Sequence, residues 1–210
     1  MSLSTQRTAL CDALDAVDPS APTLCEGWTA HHLAAHVWLR ENDLIAAAGA
    51  VIKPLAGHLE TRMTAVMNER PYAELVAAIR RGPQGVSLFR LPGAEQAANS
   101  VEFFVHCEDV RRGSGDRTQR PLDPEFEEYA WKRLRPMARL SFRRVPAAVW
   151  LKRHVADEPL RVGRGGAIVT LVGPASELLL YLFGRTTAAN VALVGEAASI
   201  DGLQRANLGI

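Results

Sequence analysis

Apolar side chains return at helical intervals through the first two-thirds of the 210-residue chain. Leu3, Leu10, Leu14 and Val17 share one face of an N-terminal helix that Asp18-Pro19 stops, with Pro22 extending the break. Gly27-Trp28 lead into Thr29, whose hydroxyl suits the orphan amides of a first turn, and HHLAAHVWLRENDLIAAA carries a second helix to about Gly49. A looser loop and helical stretch is expected over 51–82, with Pro71 at a first helical position and Gly82-Pro83 as its stop. After Pro92-Gly93 the next helix spans about Ala94 to Arg112 and ends at the Gly-Ser-Gly of 113–115. Asp123-Pro124 then opens a helix with acids in its first turn and bases in its last, the polarity the macrodipole favours, and Pro136 is expected to kink it. Four principal helices with short or moderate connections predict an antiparallel bundle.

From about Pro146 the period shortens. AVWLKRHV alternates apolar and polar residues, LRVGRGGAIVTLVG reads as two short strands around a Gly-Gly turn, and VALVG is a further short strand. Between them PASELLLYLFGR is a helix opened by Pro174 and closed by Gly184, and a last short helix is expected from Ile200 to Asn207. The organisation expected is a helical bundle over 1–145 followed by a small α+β domain over 146–210.

Composition narrows the function. With 48% apolar and 22% charged residues the chain can bury a substantial core. Its 24 basic and 23 acidic side chains leave a net charge of +1, which argues against nonspecific binding along a nucleic-acid backbone. Locally 111–154 is electropositive, with 12 basic residues against 5 acidic, and the part of it between 132 and 144 reads most economically as a solvated arginine-rich helix face. Three cysteines, Cys11, Cys25 and Cys107, have no paired spacing and suit a reducing compartment. No apolar run approaches the roughly 18 to 20 residues of a membrane span, and the N-terminus lacks the basic flank and apolar stretch of a secretory signal. A soluble cytoplasmic protein, binding neither nucleic acid nor membrane, is the expectation.

Candidate chemistry lies on two of the helices. Glu102 and His106 are four residues apart in SVEFFVHCEDVRR, so their side chains stack on one face, where a carboxylate and an imidazole can reach the same ion or simply bond along the helix. His36 sits beside the apolar positions Leu33, Val37 and Leu44, where an imidazole loses water unless a partner replaces it. A carbonyl could be that partner, but the second helix also offers a carboxylate and an imidazole. His36, Glu102 and His106 together would give a divalent ion two nitrogens and one oxygen, a set that leaves zinc an open fourth position.

A helix reading GWT-A-HHLAAHVW, a later E-x-x-x-H-x-x-D helix and a C-terminal E-LLL-YLFGR segment resemble the mycothiol-dependent maleylpyruvate isomerase family, within the DinB-like metal-binding four-helix bundles. The resemblance covers nearly the whole chain and implies a DinB-like bundle followed by the small α+β domain, with zinc or another divalent metal on His36, Glu102 and His106. The arginine-rich composition is in keeping with actinobacteria, which make mycothiol. Asp109 matches the family's trailing Asp and would orient a ligand histidine as a supporting carboxylate, or else pair with Arg111 or Arg112 as an ordinary helix-end acid. An arginine of the C-terminal domain is implicated in activity in the resembled isomerases. Arg185 would then be a catalytic or cofactor-binding cation for a carboxylate, with a plain helix C-cap as the equal alternative.

His31 and His32 are read as solvent-facing, His58 and His154 as isolated, Cys107 as a small packed residue, and Cys11 and Cys25 as lacking any catalytic signature. The resemblance implies an isomerase or S-transferase whose metal activates a low-molecular-weight thiol, mycothiol, toward an electrophilic small-molecule substrate. A homodimer is left open. The alternatives are a non-catalytic metal-binding or sensor bundle, and a metal-dependent hydrolase with Glu108 or Asp109 as base.

Overall fold

A computed structural model describes residues 3–43, 45, 46, 49, 52–83, 94–142, 145, 147–163 and 165–206. Leu44, Pro92, Gly93, residues 143 and 144, Pro146 and Asn207, which enter the sequence reading, lie outside the described residues. The chain divides into two compact units, 2–118 and 119–210.

The first unit contains α1 (Leu3–Asp15), α2 (Ala30–Asn42), a 3-10 turn (Lys53–Leu55), α3 (Ala56–Glu69), α4 (Tyr72–Arg81) and α5 (Ala94–Gly113). Helix α1 packs against α4 and α5, and α2 against α3 and α4. Leu10, Leu14, Leu33, Val37, Leu39, Leu75, Ile79 and Phe103 are buried together, so the apolar faces read from the sequence do converge on one core. The 51–82 segment is more regular than expected. It holds two full helices, with Pro71 capping rather than opening α4 and Gly82 ending it at φ +83, in the left-handed region glycine tolerates.

Helix α2 stops at Asn42 instead of continuing to about Gly49. Asp43 takes an extended backbone and accepts hydrogen bonds from Ala46 N at 3.0 Å and Arg62 Nε at 3.1 Å, so a local aspartate turn replaces the helical ladder. At the other end His32 Nδ1 accepts from Thr29 N at 3.3 Å and lies 2.8 Å from Thr29 Oγ1. His32 is therefore a capping residue. His31, expected in solvent, is partly buried, edge-on to the Tyr72 ring.

In the second unit α6 (Pro124–Ser141) starts as expected, Asp123 Oδ1 accepting from Glu125 N at 2.9 Å, and it continues through Pro136. It packs on α7 (Ala175–Leu182), whose eight residues are all buried, and Glu127 accepts from Ser176 N and Oγ at the start of that helix. The strands β1 (Ala148–Lys152), β2 (Leu160–Arg161), β3 (Ile168–Val172) and β4 (Ala192–Gly195) form one sheet in the order β2-β1-β3-β4. Strands β1 and β3 run parallel, Val149 opposite Val169 and Leu151 opposite Leu171, while the outer pairs are antiparallel. The two strands flanking the glycines do not pair with each other; β1 lies between them. A final helix, α8 (Ala197–Arg205), follows. The architecture is mostly helical with a small C-terminal sheet, the fold class expected. No helix among the described residues is long and apolar enough to cross a membrane.

Candidate metal centre

Helix α2 presents His36 on its inner face, 4% exposed, against the ring of Trp28 at a centroid distance of 5.1 Å. Helix α5 presents Glu102, His106 and Asp109 at successive turns of one face. The His36 and His106 rings meet edge to face, 5.3 Å between centroids, and one donor atom from each of His36, Glu102 and His106 lies within 4.8 Å of the others. Donors bound to one zinc ion at 2.0–2.1 Å stand about 3.4 Å apart, so modest side-chain rotation closes this set.

Two observations favour a cation over ordinary core histidines. His36 Nδ1 is buried and makes no hydrogen bond, so the carbonyl partner that would satisfy an ordinary core histidine is missing there, while the buried His106 Nε2 has only the Glu102 carboxylate, 3.4 Å away. An unmatched buried polar atom costs about 1–3 kcal/mol, which a bound cation would offset. Burial, aided by the neighbouring His106 charge, pushes His36 down to about 3, so its imidazole is neutral and a donor at neutral pH. Burial would raise Glu102, but its contacts with His106 at 3.4 Å and Arg40 at 3.5 Å hold it at about 2, so it is anionic at neutral pH. For His106, burial opposes the charged form but is outweighed by Asp109, Cys25 and Glu102, which hold its pKa well above the usual value.

Asp109 is fully buried, and its Oδ2 takes His106 Nδ1 at 3.0 Å. Arg111 and Arg112 both donate to Glu108. With Nδ1 engaged, Nε2 of His106 is the nitrogen turned toward Glu102. Arg185 lies in the second unit, just past α7, and donates to Phe183 O at 2.5 Å. Cys107 is buried with its thiol on Ala9 O, and Cys11 is buried with its thiol raised to about 11 by burial, as packed thiols should be. His58 and His154 are exposed.

Three participants escaped the sequence reading. Cys25 lies near the site, its Sγ grouped with His106 and Asp109 within 4.8 Å. Trp28 walls one side of His36. Arg40, one turn beyond His36, links Glu102 to Asn99 through its Nε at 3.3 Å, and Asn99 in turn reaches Glu41. The i, i+4 spacing from His36 was a usable signal for Arg40; Cys25 carried none.

Residues 2–150 match the family described as "Mycothiol maleylpyruvate isomerase N-terminal domain". Two solved structures are similar in fold over 93% of this chain and 92% of theirs. One is the mycothiol-dependent maleylpyruvate isomerase, at 18% identity and a TM-score of 0.49. The other is a histidine-to-alanine mutant of an enzyme of that name, at 17% identity and a TM-score of 0.51. No curated protein matches.

Proposed function

Because this chain belongs to the mycothiol maleylpyruvate isomerase N-terminal domain family, we propose that it holds a divalent metal, zinc in the first instance, on His36, Glu102 and His106 and uses it to activate mycothiol in an isomerase or S-transferase reaction. The observation that carries this reading is the convergence of three donors from α2 and α5, two of them imidazoles, of which His36 has a buried Nδ1 without a hydrogen bond. When bound, a divalent cation with three protein ligands keeps a position open and favours a thiolate over a thiol at neutral pH. A thiolate that adds to an activated carbon–carbon double bond and leaves again allows rotation about it; one that stays gives a conjugate once the adjacent carbon takes up a proton.

The chain's own residues have separable tasks. His36 supplies a neutral lone pair and Glu102 a negative charge. Asp109 accepts the Nδ1 proton of His106 and so commits Nε2 to the ligand side. Trp28 covers the His36 ring and lowers local access of water. Arg185 is the proposed cation for a substrate or cofactor carboxylate. Hydrolysis is the weaker reading, because Asp109 is already engaged by His106 and Cys25, and Glu108 by Arg111 and Arg112.

The test is a titration of the cobalt-substituted protein with mycothiol. The account expects the visible cobalt bands to shift and a sulfur-to-cobalt charge-transfer band to appear; an unchanged spectrum at saturating thiol would leave a metal-binding bundle without thiol chemistry.

A further inference from the structure

We propose that Cys25 is a positioning residue of the metal centre, its thiol acting through Asp109 to fix the ring of His106, an inference that rests on the metal reading above. Cys25 Sγ donates to Asp109 Oδ2 at 3.2 Å, the same oxygen that receives His106 Nδ1 at 3.0 Å. Asp109 has no exposed surface, so its carboxylate depends on protein donors to hold its orientation. The thiol is one of them, placed opposite a helix from a position 84 residues earlier in the chain.

The loop bearing Cys25 is built to hold that thiol still. Its two ends are bridged at Pro22 and Thr29, Cys25 N donates to Thr23 Oγ1 at 3.2 Å, and Thr23 Oγ1 donates to Trp28 O at 2.8 Å. Leu24 N donates to the backbone carbonyl of Asp109 at 3.0 Å, so the residue beside the cysteine is pinned to the residue its side chain serves. The contact is close enough to require glycine at 113, where a Cβ would come within 2.4 Å of Thr23 Cα. With loop and helix locked together, the S–H and the Nδ1–H meet one oxygen from fixed directions. The plane of His106 and the aim of its Nε2 at Glu102 and His36 follow from that.

The same geometry makes Cys25 a supporting group and not a ligand of the proposed ion. Its sulfur is grouped with His106 and Asp109, on the Nδ1 side of the imidazole, whereas His36 and Glu102 gather on the other set. A hydroxyl can replace a thiol as donor to a carboxylate, and a methyl cannot.

The experiment compares wild type, Cys25→Ser and Cys25→Ala for zinc affinity by chelator competition, for the cobalt spectrum, and, metal-free, for the His106 Nδ1–H signal in NMR, assigned by its absence in His106→Gln. The expected result is a loss of about 10- to 100-fold in zinc affinity for Cys25→Ala, near-wild-type affinity for Cys25→Ser, and a metal-free melting temperature that is near wild type for Cys25→Ser and only a few degrees lower for Cys25→Ala, which loses one hydrogen bond to a buried carboxylate. In the metal-free chain the Nδ1–H resonance should stay sharp in wild type and Cys25→Ser and broaden by exchange in Cys25→Ala. Equal affinities and equal Nδ1–H line widths across all three proteins overturn the proposal, as does a sulfur-to-cobalt band in thiol-free wild type that Cys25→Ser abolishes, since that marks a direct ligand. If wild type itself takes up no zinc, the metal reading fails, and the metal-free NMR comparison still decides the role of Cys25.

Discussion

Replacing either His36 or His106 with alanine is expected to remove stoichiometric metal from the purified protein. Each contributes one of two imidazoles, and a pair of remaining donors cannot hold a divalent ion against water and buffer; a structural zinc site is worth about 10–16 kcal/mol in total, so one ligand of three should change affinity by about two to four orders of magnitude. Glu102→Gln keeps the shape but loses the anion, and an affinity loss on the order of 100-fold is expected. Ligand linkage gives an independent readout: at a free zinc concentration near 100 times the dissociation constant, wild type gains about 2.7 kcal/mol in stability, and the two histidine variants gain none. Metal-free, His36→Ala should unfold close to wild type, because the change deletes an unmatched buried nitrogen along with its packing. His154→Ala, exposed and in the other unit, is the control that retains metal. Full metal content in both His36→Ala and His106→Ala would remove the assignment.

The second large effect concerns stability. Arg7 on α1 and Glu41 on α2 are both buried and form a two-pronged pair, Nη1 to Oε2 at 2.9 Å and Nη2 to Oε1 at 2.5 Å. Nη1 also donates to Ile79 O at 2.7 Å, and the guanidinium lies 4.6 Å from the centre of the Phe103 ring. Four helices therefore meet at one arginine. Glu41→Ala strands that cation in the core and should cost about 3–5 kcal/mol, whereas Arg7→Met combined with Glu41→Leu, which removes both charges, should recover most of the loss. For a chain of this size that is a fall in melting temperature of roughly 6 to 20 °C for the single change. Chemical denaturation of the three proteins measures it, and a single-variant loss below about 1 kcal/mol would show that water or another group already compensates Arg7. Because Asn99 joins Glu41 to Arg40, and Arg40 reaches Glu102, Glu41→Ala should also weaken metal binding modestly.

Much of this was legible along the chain because it is local. Helical periodicity set α1 and α5 to within a few residues, proline and aspartate marked the start of α6, and the alternation after 146 marked β1 and β3. The three converging donors were legible too, since Glu102 and His106 are one turn apart and a histidine among leucine and valine asks for a partner. Long-range pairings were not. The end of α2 depends on what the Asp43 side chain binds, including Arg62 nineteen residues later. The place of β1 in the middle of the sheet follows from a crossover, and strand order leaves no trace in alternation. No local pattern along the chain announces the burial of Arg7 and Glu41, which depends on two helices bringing opposite charges together. Cys25 gains its neighbours through a loop folded back on α5, which no spacing within the loop announces.

X-ray absorption at the zinc edge of the loaded protein, before and after adding mycothiol, tests the central claim most directly. The account predicts a first shell of nitrogen and oxygen at about 2.0–2.1 Å with the multiple-scattering signature of two imidazoles and no sulfur, then one sulfur at about 2.3 Å once the thiol is present. A sulfur scatterer in the thiol-free protein, or a shell carrying fewer than two imidazoles, would contradict it.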